Sequence, residues 1–147
     1  MLIGGMGDDT IIGGYENDFI IGGPGEDTLI GCQGRDIFVV NDGDTVIDFN
    51  VKDGDVLYLN HLIDHNGHSL SAHIHFELGS DPITTENSTV VRIDSNGDGS
   101  GYDDVSVILK NVLFRDSIDL TKLWANGNLH TSSTRPDIQV GLIIKKN

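Results

Sequence analysis

Four carboxylates, Asp9, Asp18, Asp27 and Asp36, recur nine residues apart in a chain of 147 residues. Each stands sixth in a nonapeptide that opens on glycine: GGMGDDTII (4–12), GGYENDFII (13–21), GGPGEDTLI (22–30) and GCQGRDIFV (31–39). Stacked at that period, the carboxylates would repel one another across a few ångströms. A hard divalent cation relieves the repulsion by collecting about six to eight oxygens, carboxylates and turn carbonyls together, and calcium suits that donor set.

The elements that must position these groups follow from the same period. Each unit divides into a polar turn and a short strand (10–12, 19–21, 28–30 and 37–39), and a strand that short is not stable alone. The eighth position is always apolar (Ile11, Ile20, Leu29, Phe38), so stacked units share one interior and supply one another's core. The glycines that start the turns (Gly4 and Gly5, Gly13 and Gly14, Gly22 and Gly23, Gly31) are expected to take positive φ and curl the carbonyls toward one point.

These copies resemble the RTX calcium-binding nonapeptide G-G-x-G-x-D-x-U-x, where U is a large apolar residue. The resemblance implies a parallel β-roll in which two repeats make one coil, with several Ca2+ ions held between turns two repeats apart. One row would join Asp9 and Asp27 to carbonyls around Gly4, Met6, Gly22 and Pro24. The other would join Asp18 and Asp36 to carbonyls around Gly13, Tyr15, Gly31 and Gln33. Glu16 replaces a fourth-position glycine and Cys32 a second-position one, so local distortion is expected there, with Glu16 facing water.

After Val40 the period breaks, and the stretch NDGDTVIDFNVKDGDVLYLNHLI (41–63) resembles the segment that closes an RTX roll in secreted proteases and type I secretion target domains. Asp44, Val46, Asp48 and Phe49 form one element of it; Gly54, Asp55, Leu57 and Leu59 form a second. Val46, Phe49, Leu57 and Leu59 are expected to cap the interior, and Asp44 with Asp48 to complete a last calcium site.

Residues 70–115 alternate as strands do, through Ala72, Ile74 and Phe76, then Val91 and Ile93, then Val105, Val107 and Leu109. Between the last two runs, Asp94, Asn96 and Asp98 followed by Gly99 follow the order of a calcium loop. Val105 stands where an EF-hand needs glutamate, so Asp103 or Asp104 is the candidate to close a hairpin-borne site; an ion-free hairpin turn is the competing reading. The stretch DLTKLWANG (119–127) predicts a short helix, with Asp119 as N-cap, Leu120, Leu123 and Trp124 on one face and Gly127 at its stop.

Charge and motif content exclude other classes. The net charge is −14, and residues 1–56 hold 12 acidic side chains against Arg35 and Lys52, which argues against nucleic acid or an anionic membrane as partner. No long apolar run is present, and a lone Cys32 excludes an intramolecular disulfide. His61, His65, His68, His73 and His75 lack an H-E-x-x-H arrangement, and no G-x-S-x-G or P-loop occurs, so no enzyme activity is expected.

The expected molecule is mostly all-β: a calcium-binding β-roll with its closing segment over residues 1–60, then a β-rich cap with a short helix over 61–147. Met1, Leu2 and Ile3 fit the last three positions of a preceding nonapeptide, so a piece of a longer repeat protein is expected. The resemblance implies a monomeric C-terminal type I secretion target region, handled by the type I secretion apparatus. Its owner would be a large secreted or cell-surface adhesin of a Gram-negative bacterium, with calcium as folding switch. An accessory module of a secreted polysaccharide epimerase, protease or lipase, and a sugar-binding roll, are the alternatives.

Overall fold

A computed structural model describes residues 1–63, 73–80, 87–98, 105–112, 122–123 and 125–130. Each nonapeptide forms its strand where the sequence places it: β2 (Thr10–Gly14), β3 (Phe19–Ile21), β4 (Thr28–Cys32) and β5 (Ile37–Val39), preceded by β1 (Leu2–Ile3). The closing segment adds β6 (Thr45–Val46) and β7 (Val56–Tyr58). Later residues supply β8 (Ile74–Ser80), β9 (Asn87–Ile93), β10 (Val105–Lys110) and β11 (Leu129–His130).

Successive repeats go to opposite sheets, so hydrogen-bonded neighbours are two repeats apart. One sheet runs β1-β3-β5-β7-β11 and the other β2-β4-β6-β10-β9-β8. The pairs built from the repeats are parallel, in registers Ile11↔Leu29 and Ile20↔Phe38, which places every eighth-position side chain on the face between the sheets. The inner rows continue past the repeats, from Leu29 to Val46 and Leu109 in one sheet and from Phe38 to Leu57 and Leu129 in the other. These side chains belong to one buried cluster, as do Phe49 and Leu59. Val46, Phe49, Leu57 and Leu59 are thus interior as expected, but they do not end it, because the rows run on past Val46 and Leu57 to Leu109 and Leu129.

The roll is about three coils deep, because β6 and β7 add a coil to the two that four nonapeptides make. The later strands extend the same sheets: β10 pairs with β6 in parallel and with β9 antiparallel, and β11 pairs with β7. The sheets thus cross the expected boundary at residue 60 without a break. Ile74, Phe76, Val91, Ile93, Val107 and Leu109 are buried, as their alternation predicts; Ala72 lies outside the described residues. In the segment predicted as a helix, Lys122, Leu123 and Ala125 are helical. The turn ends on Gly127 with φ 80°, and the N–H of Asn128 bonds to Leu123 O at 2.9 Å, a Schellman closure. Asp119, Leu120 and Trp124 lie outside the described residues.

Candidate metal centre

The sixth-position aspartates form two ladders, one along each side of the roll. On one side Asp27 Oδ1 accepts the N–H of Asp9 at 2.8 Å, and Asp44 Oδ1 accepts that of Asp27 at 2.9 Å. On the other, Asp36 Oδ1 accepts the N–H of Asp18 and Asp55 Oδ1 that of Asp36, both at 2.9 Å. One oxygen of each acceptor carboxylate therefore fastens its turn to the turn two repeats earlier. The pairing of Asp9 with Asp27 and of Asp18 with Asp36 follows the expected rows.

The second oxygen separates the aspartates into two kinds. Oδ2 of Asp9, Asp27 and Asp36 is buried and has no hydrogen-bond partner among the described residues. Oδ2 of Asp44 accepts the N–H of Asn41 at 2.7 Å, and Oδ2 of Asp55 that of Asn50 at 2.8 Å. A buried carboxylate oxygen left without donor or cation costs several kcal/mol, about 1–3 by mutational measures and more for a charged group.

The surroundings of these orphaned oxygens are shaped for a ligand. A Cβ built on Gly4 would lie 2.7 Å from Asp9 Oδ2 and 2.6 Å from Gly22 O, so both oxygens border space that only glycine leaves open. The same construction on Gly13 meets Asp18 Oδ2 and Gly31 O, each at 2.7 Å. On Gly22 it meets Asp27 Oδ2 at 2.3 Å, and on Gly31 it meets Asp36 Oδ2 at 2.2 Å. Here one expectation is corrected: Gly4, Gly13, Gly22 and Gly31 do not adopt positive φ, which falls to Gly5, Gly14, Gly23 and Cys32. The first glycine of each repeat is required by the approach of its own aspartate.

Met6, Tyr15, Pro24 and Gln33 turn their side chains to solvent, so any part they take in a site is through the carbonyl. That of Pro24 already accepts the N–H of Gly7 at 2.9 Å, and Gly22 O that of Gly5 at 3.1 Å; a carbonyl's second lone pair remains. Among the described residues no three His, Cys, Asp or Glu side chains are grouped as a metal site. The convergent donors are one carboxylate and backbone carbonyls per turn, a set that fits calcium.

Electrostatics point the same way. Burial pushes Asp44 up to about 6 and Asp55 up to about 7, partly offset by their backbone donors and reinforced by neighbouring carboxylates. Asp36 is also raised, by burial first and then by Asp18, Asp48 and Asp53. A divalent cation nearby would oppose these shifts by favouring the ionised form.

Asp44 and Asp48 do not meet in a shared last site. Asp48 caps the turn opposite, its Oδ1 accepting Gly31 N–H at 2.9 Å and its Oδ2 Cys32 N–H at 2.7 Å, whereas Asp44 belongs to the ladder of Asp27. Only Thr45–Val46 are strand here, and the chain bends after them, so Asp44 and Asp48 stand at opposite ends of this short element. Asp55, the last member of its ladder, was named for the closing segment and not for a site. The signal that finds it is the D-x-U triplet, Asp55-Val56-Leu57, which matches Asp36-Ile37-Phe38.

In the 94–98 loop, Asp94 Oδ1 accepts the N–H of Gly97 at 3.0 Å, and Asn96 Oδ1 that of Asp98 at 3.0 Å. Asn96 Nδ2 donates to Asp98 Oδ2 at 3.0 Å. These bonds lie within residues 94–98, while Gly99, Asp103 and Asp104 lie outside the described residues. His61 contacts Asn41 Oδ1 and His73 contacts Asp94 O, in separate places; His75 is exposed on β8, and His65 and His68 lie outside the described residues. Glu16 is exposed, as expected.

Residues 3–38 match the family model of the RTX calcium-binding nonapeptide repeat, in four copies. This segment is an RTX repeat array, and such repeats bind calcium ions. Among solved structures, the chain is similar to the solution structure of the AlgE6R3 subunit from the Azotobacter vinelandii mannuronan C5-epimerase. The two are 16% identical over 89% of this chain and 82% of that one, with a TM-score of 0.40, a likeness too loose to bear on fold or function. No curated protein matches the chain.

Proposed function

We propose that the chain is a calcium-dependent folding module and the export-target region of a large secreted or cell-surface protein of adhesin type, with no catalysis of its own. The observation that carries the calcium switch is the set of buried, unpartnered Oδ2 atoms of Asp9, Asp27 and Asp36 beside side-chain-free glycines. Without a cation these atoms oppose folding of the repeats; with one they hold successive coils together. The export and adhesin parts rest on the resemblance of residues 41–63 to closing segments of type I secreted proteins, and proteins with RTX repeats are typically secreted by Gram-negative bacteria.

The magnitude is sufficient for a switch. Each site at ten times its dissociation constant adds about 1.4 kcal/mol, so three sites add roughly 4 kcal/mol. A domain's net stability is about 5–15 kcal/mol. In a calcium-poor cytoplasm the acidic repeats would stay extended enough to export, and calcium outside would fold them. Circular dichroism during calcium titration and chelation is the test: strand signal should rise with calcium and fall with chelator. A chain equally β-rich and equally heat-stable in chelator refutes the switch.

A further inference from the structure

β6 and β10 lie side by side and parallel, in registers Ile108↔Thr45 and Leu109↔Val46, so the two strands reach their C-terminal ends together. Beyond those ends the two chain segments part. One bends after Val46 into the closing turn, and the other turns at Asn111, whose φ of 60° is left-handed. Between them opens a cleft of about 640 Å³, lined by residues 47–52 and 110–112. A crevice beyond the carboxyl ends of neighbouring parallel strands is where open sheets commonly receive ligands, and this volume suits a small one. Both walls are held in place. Ile47 N–H donates to Leu29 O at 3.0 Å, Gly54 N–H to Val51 O at 3.1 Å and Lys52 N–H to Asn50 Oδ1 at 2.9 Å, while Val112 O accepts the Thr89 hydroxyl at 2.7 Å.

The lining runs against the charge of the chain. Residues 1–63 hold only Arg35 and Lys52 as lysine or arginine in a protein of net charge −14, yet the cleft gathers Lys52 from one wall and Lys110 from the other. The carboxylate in the lining, Asp48, spends both oxygens on the N–H groups of Gly31 and Cys32. Asn50 and Asn111 add exposed amides, and Ile47 and Val112 add half-buried apolar surface. Ammonium groups on both walls call for an anion, and in a strongly acidic surface they mark the place where one would be drawn. Amides donate and accept, which is what hydroxyl groups require. A bare inorganic anion would leave the amides and the apolar surface unused.

We propose that this cleft binds an acidic sugar. Lys52 and Lys110 receive its carboxylate, the amides of Asn50 and Asn111 its hydroxyls, and Ile47 and Val112 the C–H face of its ring. The site lies beyond the repeats and stands apart from the calcium reading.

The test is a titration of the full chain at fixed, saturating free calcium, followed by backbone amide chemical shifts, with glucuronate, glucose and inorganic sulfate as probes. Glucuronate should shift the amides of residues 47–52 and 110–112 with a dissociation constant of about 1 mM, the range open to one sugar unit. Glucose, which lacks the carboxylate, and sulfate, which lacks the ring, should each bind at least about tenfold more weakly. Lys52→Gln and Lys110→Gln should each weaken glucuronate about tenfold, whereas Lys122→Gln, outside the cleft, should leave it unchanged. Glucose bound as tightly as glucuronate overturns the role of the lysines, and sulfate bound as tightly overturns the sugar. Shifts confined to other residues, or none at about fifty times the expected constant, overturn the site. Where Lys110→Gln does not fold, Lys52→Gln decides, and an unchanged affinity overturns the proposal.

Discussion

Asp27→Asn separates the two tasks of one side chain. The carboxylate is 1% exposed; its Oδ1 accepts Asp9 N–H at 2.8 Å, and its Oδ2 has no partner among the described residues. Asparagine keeps an oxygen for Asp9 and puts an amide where the anionic oxygen stood, so the rung survives while the cation ligand is lost. In calcium at ten times the dissociation constant the loss is about 1.4 kcal/mol, and at a hundred times about 2.7 kcal/mol. For a chain of this size that lowers the thermal midpoint by roughly 3–10 °C. In chelator the sign should reverse, because the substitution removes a buried charge that nothing there compensates, and residual strand signal should equal or exceed that of wild type. Asp44→Asn is the matched control. Both of its oxygens already accept N–H groups, from Asp27 and Asn41, so the amide must face a donor and the loss should appear with and without calcium. Thermal melts followed at a strand wavelength in both conditions decide the matter. Equal destabilisation by Asp27→Asn in calcium and in chelator would refute the assignment of Oδ2 to a cation.

The remaining expectations concern pH and backbone. Asp44 near 6 and Asp55 near 7 lie above the unfolded value of about 3.9, so the folded state binds protons more tightly. Their contribution is complete below about pH 4 and lost as pH rises through about 6 to 7. In chelator, strand signal should therefore increase on acidification from pH 7.5 to 5, and an increase in the opposite direction refutes the assignment. Gly5→Ala and Gly23→Ala both place a side chain at positive φ, 106° and 101°, but only at Gly23 would the Cβ meet backbone, Gly5 O at 2.3 Å. Urea midpoints should show about 1–2 kcal/mol lost in the first and at least about 3 kcal/mol in the second, and equal losses would show that the coils are not stacked as described. Cys32 holds φ 74° where the other repeats have glycine, so Cys32→Gly should stabilise the calcium form by about 1 kcal/mol in urea unfolding; a loss would mean that the thiol supplies more than the strain removes.

What could be read from residues alone was whatever repeats. The eighth-position side chains and the pairing of Asp9 with Asp27 follow from a fixed period, since a strand that buries one face cannot slip by one residue without exposing it. The closing coil breaks that period twice. Asp27 is held by Asp44, 17 residues on, and Asp36 by Asp55, 19 residues on, where the repeats keep 18. Counting in nines from Asp36 therefore lands on Thr45 and Gly54, one residue away from each carboxylate. The pairing of β10 with β6 and of β11 with β7 was beyond reach for a different reason. It joins segments far apart in sequence whose only local mark is alternation, and alternation does not say which edge a strand will meet.

The change of spacing also explains why identical triplets do different work. Asp27-x-Leu29 and Asp44-x-Val46 look alike in sequence, and in both the aspartate is buried beneath the apolar row. The difference is where the nearest donor falls. The short turn from Asn41 brings its N–H back to Asp44 Oδ2, and the turn from Asn50 brings its N–H to Asp55 Oδ2. In the repeat that holds Asp36, the corresponding first-position N–H belongs to Gly31 and is taken by Asp48, so Asp36 Oδ2 is left unsatisfied. Whether an aspartate is a cation ligand or a cap is thus settled by one backbone N–H. That N–H is placed by turn length and by the next coil, neither of which is written in the residues around the aspartate.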